Sequence, residues 1–153
     1  MLRINKNDFN LSEFSQERFK QKMLCIKKGK DKEAFIFANE SIKFVRKYFD
    51  KAKDNKRIQL IDIYYQAQLI LNELGSKQGC NKCMIKNFNA AFSTFSTLHN
   101  CKSEDIDFRK KCGEYLKLTF EEMKTFYNSN SKLYETSLLK EKFKKNYKPL
   151  LIV

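Results

Sequence analysis

The stretch GCNKCMIKNFNAAFSTFSTLHNC, residues 79–101, decides how this chain folds. It holds three of the five cysteines and the only histidine, which is a composition typical of metal-binding or disulfide-bonded segments. Its apolar residues, however, recur every three to four positions, as they do on one face of an α-helix. The residues on that face are Met84, Phe88, Ala91, Phe92, Phe95 and Leu98. This regularity predicts a helix over residues 81–98.

The predicted helix limits the chemistry of the cysteines and the histidine. Cys80 and Cys83 have the C-x2-C spacing of zinc ligands, and a complete site would add His99, Cys101 or Cys112. A straight helix would place His99 roughly 25 Å from Cys83, and it would separate the C-x2-C pair from Cys101 as well. The sequence therefore favours free thiols with no bound metal or cofactor, and zinc binding or redox thiol chemistry is the minor alternative. Thiols at a helix N-terminus are acidic and oxidise readily, and His99 is expected in a loop without a role.

The rest of the chain also has the composition of a helical protein. Its 153 residues suit one domain, and four glycines and one proline are too few for the turns of an all-β fold. Breaks in the apolar pattern predict helices over residues 11–27, 32–53, 56–74, 81–98, 104–127 and 132–147, with a short apolar tail over 149–153. The predicted fold is all-α, a single domain of about six antiparallel helices in an irregular helical bundle.

A short solenoid of helical hairpins is the alternative fold. The segment YYQAQLILNELG (64–75) resembles the first helix of a tetratricopeptide repeat. The pattern does not recur after about 34 residues, the period of that repeat, and the bundle is therefore favoured.

Two details of packing follow from the apolar pattern. Residues 56–74 leave little polar surface and are expected to form the most buried helix, which Gly75 would end. Phe35, Phe37 and Phe44 broaden the apolar face of the second helix, which is therefore expected to contact two neighbours.

The chain is strongly basic. Lysine and arginine total 31 against 18 aspartate and glutamate residues, which gives a formal net charge of +13. A surplus of this size attracts polyanions, of which nucleic acid is the commonest. The basic residues gather around the first two interhelical loops, in one triplet, and near the C-terminus. The candidate phosphate-binding residues are Lys20, Lys22, Lys27, Lys28, Lys30, Lys32, Arg46, Lys47, Lys51, Lys53, Lys56, Arg57, Arg109, Lys110, Lys111, Lys140, Lys142, Lys144 and Lys145.

The sequence carries no motif of the common enzyme classes. The G-x-G-x-x-G, P-loop, H-E-x-x-H and G-x-S-x-G patterns are missing, and a single histidine excludes sites that need several. His99 and Cys101 are close in sequence, but no third residue is evident that would orient them for nucleophilic catalysis. The sequence thus indicates that the protein is not an enzyme, and no small-molecule substrate is expected.

Targeting signals are also missing. No apolar run reaches the ~18 residues that span a bilayer, and the first residues lack the apolar core of a secretory signal. These features predict a nuclear or cytoplasmic protein without a membrane partner, with a mitochondrial location as the alternative.

The leading hypothesis is a basic, non-enzymatic accessory subunit of a larger assembly. It would bind nucleic acid through salt-dependent contacts to the phosphate backbone, with DNA favoured over RNA, and it would dock onto other protein subunits. The alternative is a structural or protein-interaction subunit whose charge only keeps it soluble. The sequence does not identify the partner proteins or the oligomeric state.

Overall fold

The computed structural model describes residues 11–130 and 132–150, and every described element is helical. The six α-helices are α1 (Gln16–Lys27), α2 (Asp31–Tyr48), α3 (Asn55–Lys77), α4 (Asn81–His99), α5 (Ile106–Ser129) and α6 (Leu133–Asn146). Two 3-10 turns, Leu11–Phe14 and Phe49–Lys51, precede α1 and follow α2. The prediction of an all-α fold with six helices is confirmed. Of the tail predicted over 149–153, residues 151–153 lie outside the described part of the chain.

The chain divides into two compact units, Met1–Met84 and Ile85–Val153, and the boundary falls within α4. The first unit packs α1, α2 and α3 against one another. Eleven of the 23 residues of α3 are buried, more than in any other described helix. The prediction of the most buried helix therefore holds for α3.

Aromatic contacts build the core of the second unit. The ring of Phe95 on α4 lies 5.5 Å from that of Tyr115 on α5, and Phe120 on α5 stacks at 4.2 Å on Phe143 of α6. Such pairs add to the stabilisation that apolar burial alone provides. The three helical segments of this unit are thus held together by phenyl and phenol rings.

The second helix ends earlier than the predicted residue 53. α2 stops at Tyr48, and the following carbonyl groups of Phe49 and Ala52 accept hydrogen bonds from Nη1 of Arg57, at 2.9 and 3.4 Å. A cation is a favourable partner for carbonyl groups that have lost their helical N–H donors. Asp54 then takes a positive φ of 56°, which turns the chain into α3.

The third helix ends later than predicted. Gly75 lies inside α3 and is buried, and the residue after the C-cap Gln78 is Gly79, whose φ is +67°. The amide of Cys80 donates to the carbonyl of Gly75 at 2.9 Å, and that of Gly79 donates to Ser76 at 3.1 Å. These two bonds form a Schellman motif, which needs a left-handed residue and so favours glycine. The prediction that Gly75 ends α3 is therefore wrong. Gly75 is a buried residue inside the helix, and Gly79 takes the left-handed position of the turn.

Candidate nucleic-acid interface

The first predicted cluster lies around the turn between α1 and α2. Its exposed members are Lys20, Lys27, Lys28, Lys30 and Lys32. Lys22 differs, because its Nζ is 3.1 Å from Oε1 of Glu33 and 5.6 Å from the centre of the Phe37 ring. Lys22 therefore joins α1 to α2, and the other five lysines keep their charge available to a ligand.

The second predicted cluster lies at the opposite end of α2. Its exposed members are Arg46, Lys47, Lys51, Lys53 and Lys56. Arg57 is half-buried, and its guanidinium lies 4.0 Å from the centre of the Phe49 ring while it caps the end of α2. Arg57 thus has a structural role that its place in a basic cluster did not reveal.

The exposed side of α2 connects these two clusters. At about 100° of rotation per residue, the exposed residues of this helix other than Glu33 and Glu40 fall within an arc of about 120°. We call this surface the α2 face; it consists of Lys32, Phe35, Ile36, Lys43, Arg46 and Lys47. Sequence reasoning missed Lys43, which has no basic residue within two positions in the sequence and joins the row only on the folded helix.

Acidic residues do little to neutralise the α2 face. Glu33 is paired with Lys22, Asp31 is paired with Lys77 at 2.8 Å, and Glu40 lies at the edge of the arc. Four cations thus share the face with two large apolar side chains. Phe35 and Ile36 are 54% and 45% exposed, so the prediction that Phe35 belongs to the buried side of this helix is wrong.

The basic triplet of the second unit is largely structural. Nε of Arg109 donates to the carbonyl of His99 at 2.9 Å. Nζ of Lys111 lies 3.6 Å from Oε2 of Glu114 and 5.1 Å from the centre of the Tyr115 ring. Lys110 is half-buried, so the triplet presents little free charge to a ligand.

The C-terminal cluster remains largely exposed. Lys140, Lys144 and Lys145 lie on α6 with exposed side chains, and Nζ of Lys142 rests 4.8 Å from the centre of the Phe92 ring. These residues belong to the second unit and form a basic surface of their own.

The cysteines fall into three environments. Cys80 and Cys83 are joined by a disulfide, so the interpretation of both as free thiols is corrected. Cys25 and Cys112 are not part of a disulfide, and Cys112 is fully buried. Hydrogen bonds from the side chain and then the backbone of Ser103 lower the pKa of the Cys101 thiol.

The histidine has a defined structural place. His99 is the last residue of α4 and is 1% exposed, so the prediction of a loop residue without a role is wrong. Its Nδ1 lies 2.9 Å from the carbonyl oxygen of Arg109, and its Nε2 lies 2.9 Å from the carbonyl oxygen and 3.2 Å from the amide nitrogen of Lys148. The ring also stacks on Tyr147 at 5.5 Å. Each neutral tautomer has one ring N–H and can donate to only one of these two carbonyl groups, and the tautomer with Nδ1–H also lets Nε2 accept from the amide of Lys148.

His99 does not activate Cys101. Both ring nitrogens face backbone groups, and the sulfur of Cys101 lies 3.1 Å from Oγ of Ser103. Within residues 11–130 and 132–150, no group of three or more His, Cys, Asp and Glu side chains is placed to hold a metal ion. The disulfide engages both sulfurs that the C-x2-C spacing offered to zinc.

A search for helices that could cross a bilayer found none with the required length and apolarity in the described part of the chain. Comparison with protein families, curated proteins and solved structures gave no match.

Proposed function

We propose that this protein is a basic, non-enzymatic accessory subunit that binds the phosphate backbone of nucleic acid, DNA in preference to RNA. The observation that supports the proposal best is the α2 face. It connects the two basic clusters of the first unit and carries four exposed cations with one acid at its edge. A row of cations on a rigid helix suits a ligand whose charges are themselves in a row.

The length of the α2 face fits several phosphates. Lys32 and Lys47 are 15 residues apart, which corresponds to about 22 Å along the helix axis at 1.5 Å per residue. Duplex DNA rises about 3.4 Å per nucleotide of each strand, so the face is as long as the axial rise of about six base pairs. Contacts to several phosphates release counterions, and binding is therefore expected to depend strongly on salt concentration.

The side chains of the α2 face favour backbone contacts over reading of the bases. Lysine donates to phosphate as a flexible point charge, whereas base recognition uses arginine, asparagine or glutamine in fixed geometries. The amide of Asn39, which lies between Phe35 and Lys43 along α2, donates to the carbonyl of Phe35 at 3.0 Å and is occupied by its own helix. The exposed rings and chains of Phe35 and Ile36 add apolar area suited to a protein subunit of the same assembly.

Charge-neutralising variants distinguish DNA binding at the α2 face from DNA binding driven by the net charge of the whole protein. The test variant replaces Lys32, Lys43, Arg46 and Lys47 with Gln, and the matched control replaces Lys82, Lys86, Lys102 and Lys117, which are also exposed. Both variants lose four positive charges. In a gel shift with a 20-base-pair duplex, we expect the α2-face variant to bind at least tenfold more weakly and the control to change less than about threefold. The salt slope of the α2-face variant should fall by about 3.6, which is 0.9 for each lost phosphate contact.

Two outcomes contradict the proposal. If both variants lose the same affinity, the net charge alone attracts DNA and the α2 face is not the site. If the wild-type protein does not bind DNA or RNA at low salt, the alternative function, a protein-interaction subunit, is favoured instead. That alternative expects a stoichiometric partner in a native extract, retained after nuclease treatment.

A further inference from the structure

The disulfide between Cys80 and Cys83 lies in the first turn of α4 and is independent of the proposed nucleic-acid site. It encloses only Asn81 and Lys82. A disulfide stabilises mainly by restricting the unfolded chain, and the effect grows with the length of the enclosed loop. A bond across two intervening residues that α4 already holds in place adds little by this mechanism.

The two cysteines differ in exposure. Cys83 is exposed, whereas Cys80 is half-buried. The backbone of Cys80 is fixed on both sides, since its amide donates to Gly75 at 2.9 Å and its carbonyl accepts from Met84 at 3.1 Å. An incoming thiol therefore reaches the sulfur of Cys83 first.

The helix end favours negative charge on Cys80. The amide N–H of Cys83 donates to Sγ of Cys80 at 3.2 Å. This N–H is one of the first-turn donors that have no partner within the helix, and these donors together carry the positive end of the helix dipole. The first turn of α4 holds no acidic residue and includes Lys82. The same N–H that contacts the sulfur in the disulfide would stabilise a thiolate after reduction.

We infer that Cys80–Cys83 is a redox-active disulfide that exchanges with small thiols such as glutathione. A glutathione thiolate attacks Sγ of Cys83, so a sulfur–sulfur bond forms there while the Cys80–Cys83 bond breaks. Cys80 leaves as a thiolate beside the Cys83 amide. A second glutathione thiolate attacks the glutathione sulfur of the mixed disulfide, which releases oxidised glutathione and the Cys83 thiolate. Two electrons pass from two glutathione molecules to the protein, and the two thiolates take up protons according to their pKa values.

The wild-type protein is tested first by equilibration with mixtures of reduced and oxidised glutathione. Acid quenching, alkylation and mass spectrometry then give the fraction of reduced Cys80 and Cys83. We expect this fraction to pass from below one tenth to above nine tenths within the range of ratios tested, from a thousandfold excess of oxidised to a thousandfold excess of reduced glutathione. A Cys101→Ser variant serves as the control and should show the same transition. A pair that stays oxidised or stays reduced throughout the range overturns the inference.

Single cysteine variants test the direction of attack. With oxidised glutathione, the Cys83 thiolate of Cys80→Ser should form a mixed disulfide and release one glutathione thiolate at least tenfold faster than Cys80 of Cys83→Ser does, because Cys83 is exposed and Cys80 is half-buried. In Cys83→Ser, alkylation of Cys80 should reach half its maximal rate at a lower pH in the folded protein than in urea, where the helix end is lost. Equal trapping rates, or equal alkylation profiles in the two conditions, would contradict the assigned roles of the two sulfurs.

Discussion

At the scale of single residues, Gly113 shows how a missing side chain makes room for His99. A Cβ at position 113 would lie 2.7 Å from both Cε1 and Nδ1 of the imidazole, closer than real Cβ contacts. The ring cannot move aside freely, because Arg109 and Lys148 hold its nitrogens. Glycine is a poor residue for a helix interior by about 1 kcal/mol, so its presence in α5 is explained by this close approach.

Gly113→Ala is expected to destabilise the protein by up to about 2 kcal/mol. Overpacking a fixed neighbour costs about 1–3 kcal/mol, and the gain in helix propensity of about 1 kcal/mol offsets part of it. Urea unfolding followed by circular dichroism measures the difference in the free energy of unfolding.

Two variants control for the chemistry of this substitution. Gly75→Ala places a Cβ 2.9 Å from Cγ of Met84, a flexible side chain that can turn away, and should leave stability unchanged or raise it by up to about 1 kcal/mol. In a His99→Ala background, Gly113→Ala should no longer destabilise. Equal effects of Gly113→Ala with and without the imidazole would show that the contact does not matter.

At the scale of elements, Lys77 ties the end of α3 to the junction between α1 and α2. Its Nζ donates to the carbonyl of Ile26 at 2.6 Å and to Oδ1 of Asp31 at 2.8 Å. One ammonium group thus satisfies a carbonyl at the end of α1 and pairs with an acid in the first turn of α2. The contact exists because α3 continues through Gly75 to Lys77.

Replacement of Lys77 by Met should lower the free energy of unfolding by about 1 kcal/mol. A hydrogen bond from a charged donor contributes about 1.5–3 kcal/mol, and the partial exposure of this pair reduces that figure through solvent screening. Thermal unfolding at low and at 1 M salt measures the effect. Lys82→Met, an exposed lysine without an ion pair among the described residues, should change stability by less than about 0.5 kcal/mol. A similar loss in both variants would refute the role of Lys77.

At the scale of the whole molecule, the folded structure separates the basic residues into two groups. Some cations become structural, as Arg57, Arg109 and Lys77 show. Others remain exposed on the α2 face and on α6. The formal charge of +13 therefore overstates the charge available to a single ligand surface.

The prediction of one domain calls for a measurement on the intact chain. The boundary between the two compact units falls within α4, which is one helix from Asn81 to His99. Helix formation is cooperative along a continuous segment, so α4 is expected to unfold as one element. We expect a single calorimetric transition whose van't Hoff and calorimetric enthalpies agree. Two resolved transitions would show that the units unfold independently and that the chain has two domains.

Much of the helical architecture was predictable because it rests on local rules. The apolar spacing of 84–98 and the scarcity of glycine and proline predicted helices whose ends mostly lie within three residues of those observed. The exceptions are the start of the first helix, predicted at residue 11 and observed at Gln16, and the end of the second, predicted at residue 53 and observed at Tyr48. In both places a 3-10 turn occupies part of the predicted α-helix, and Arg57 contacts the carbonyl group of Phe49 just after α2.

The candidate site was predictable only in part. A count of lysines locates clusters along the sequence, but it cannot show that Lys22 pairs with Glu33 or that Lys43 joins a row on α2. Side-chain partners depend on which helices pack together, and that information is spread over distant positions of the chain.

The sequence by itself determined the helical class, the positions of most helices and the positive charge, because periodicity, turn residues and charge are properties of short segments. Only the tertiary structure decided the rest. It buried His99 between Arg109 and Lys148, engaged Lys77 and Arg57 in the scaffold, and left Phe35 exposed beside the cations of α2. In the stretch 79–101, periodicity identified the helix, whereas the geometry of its first turn joined Cys80 to Cys83.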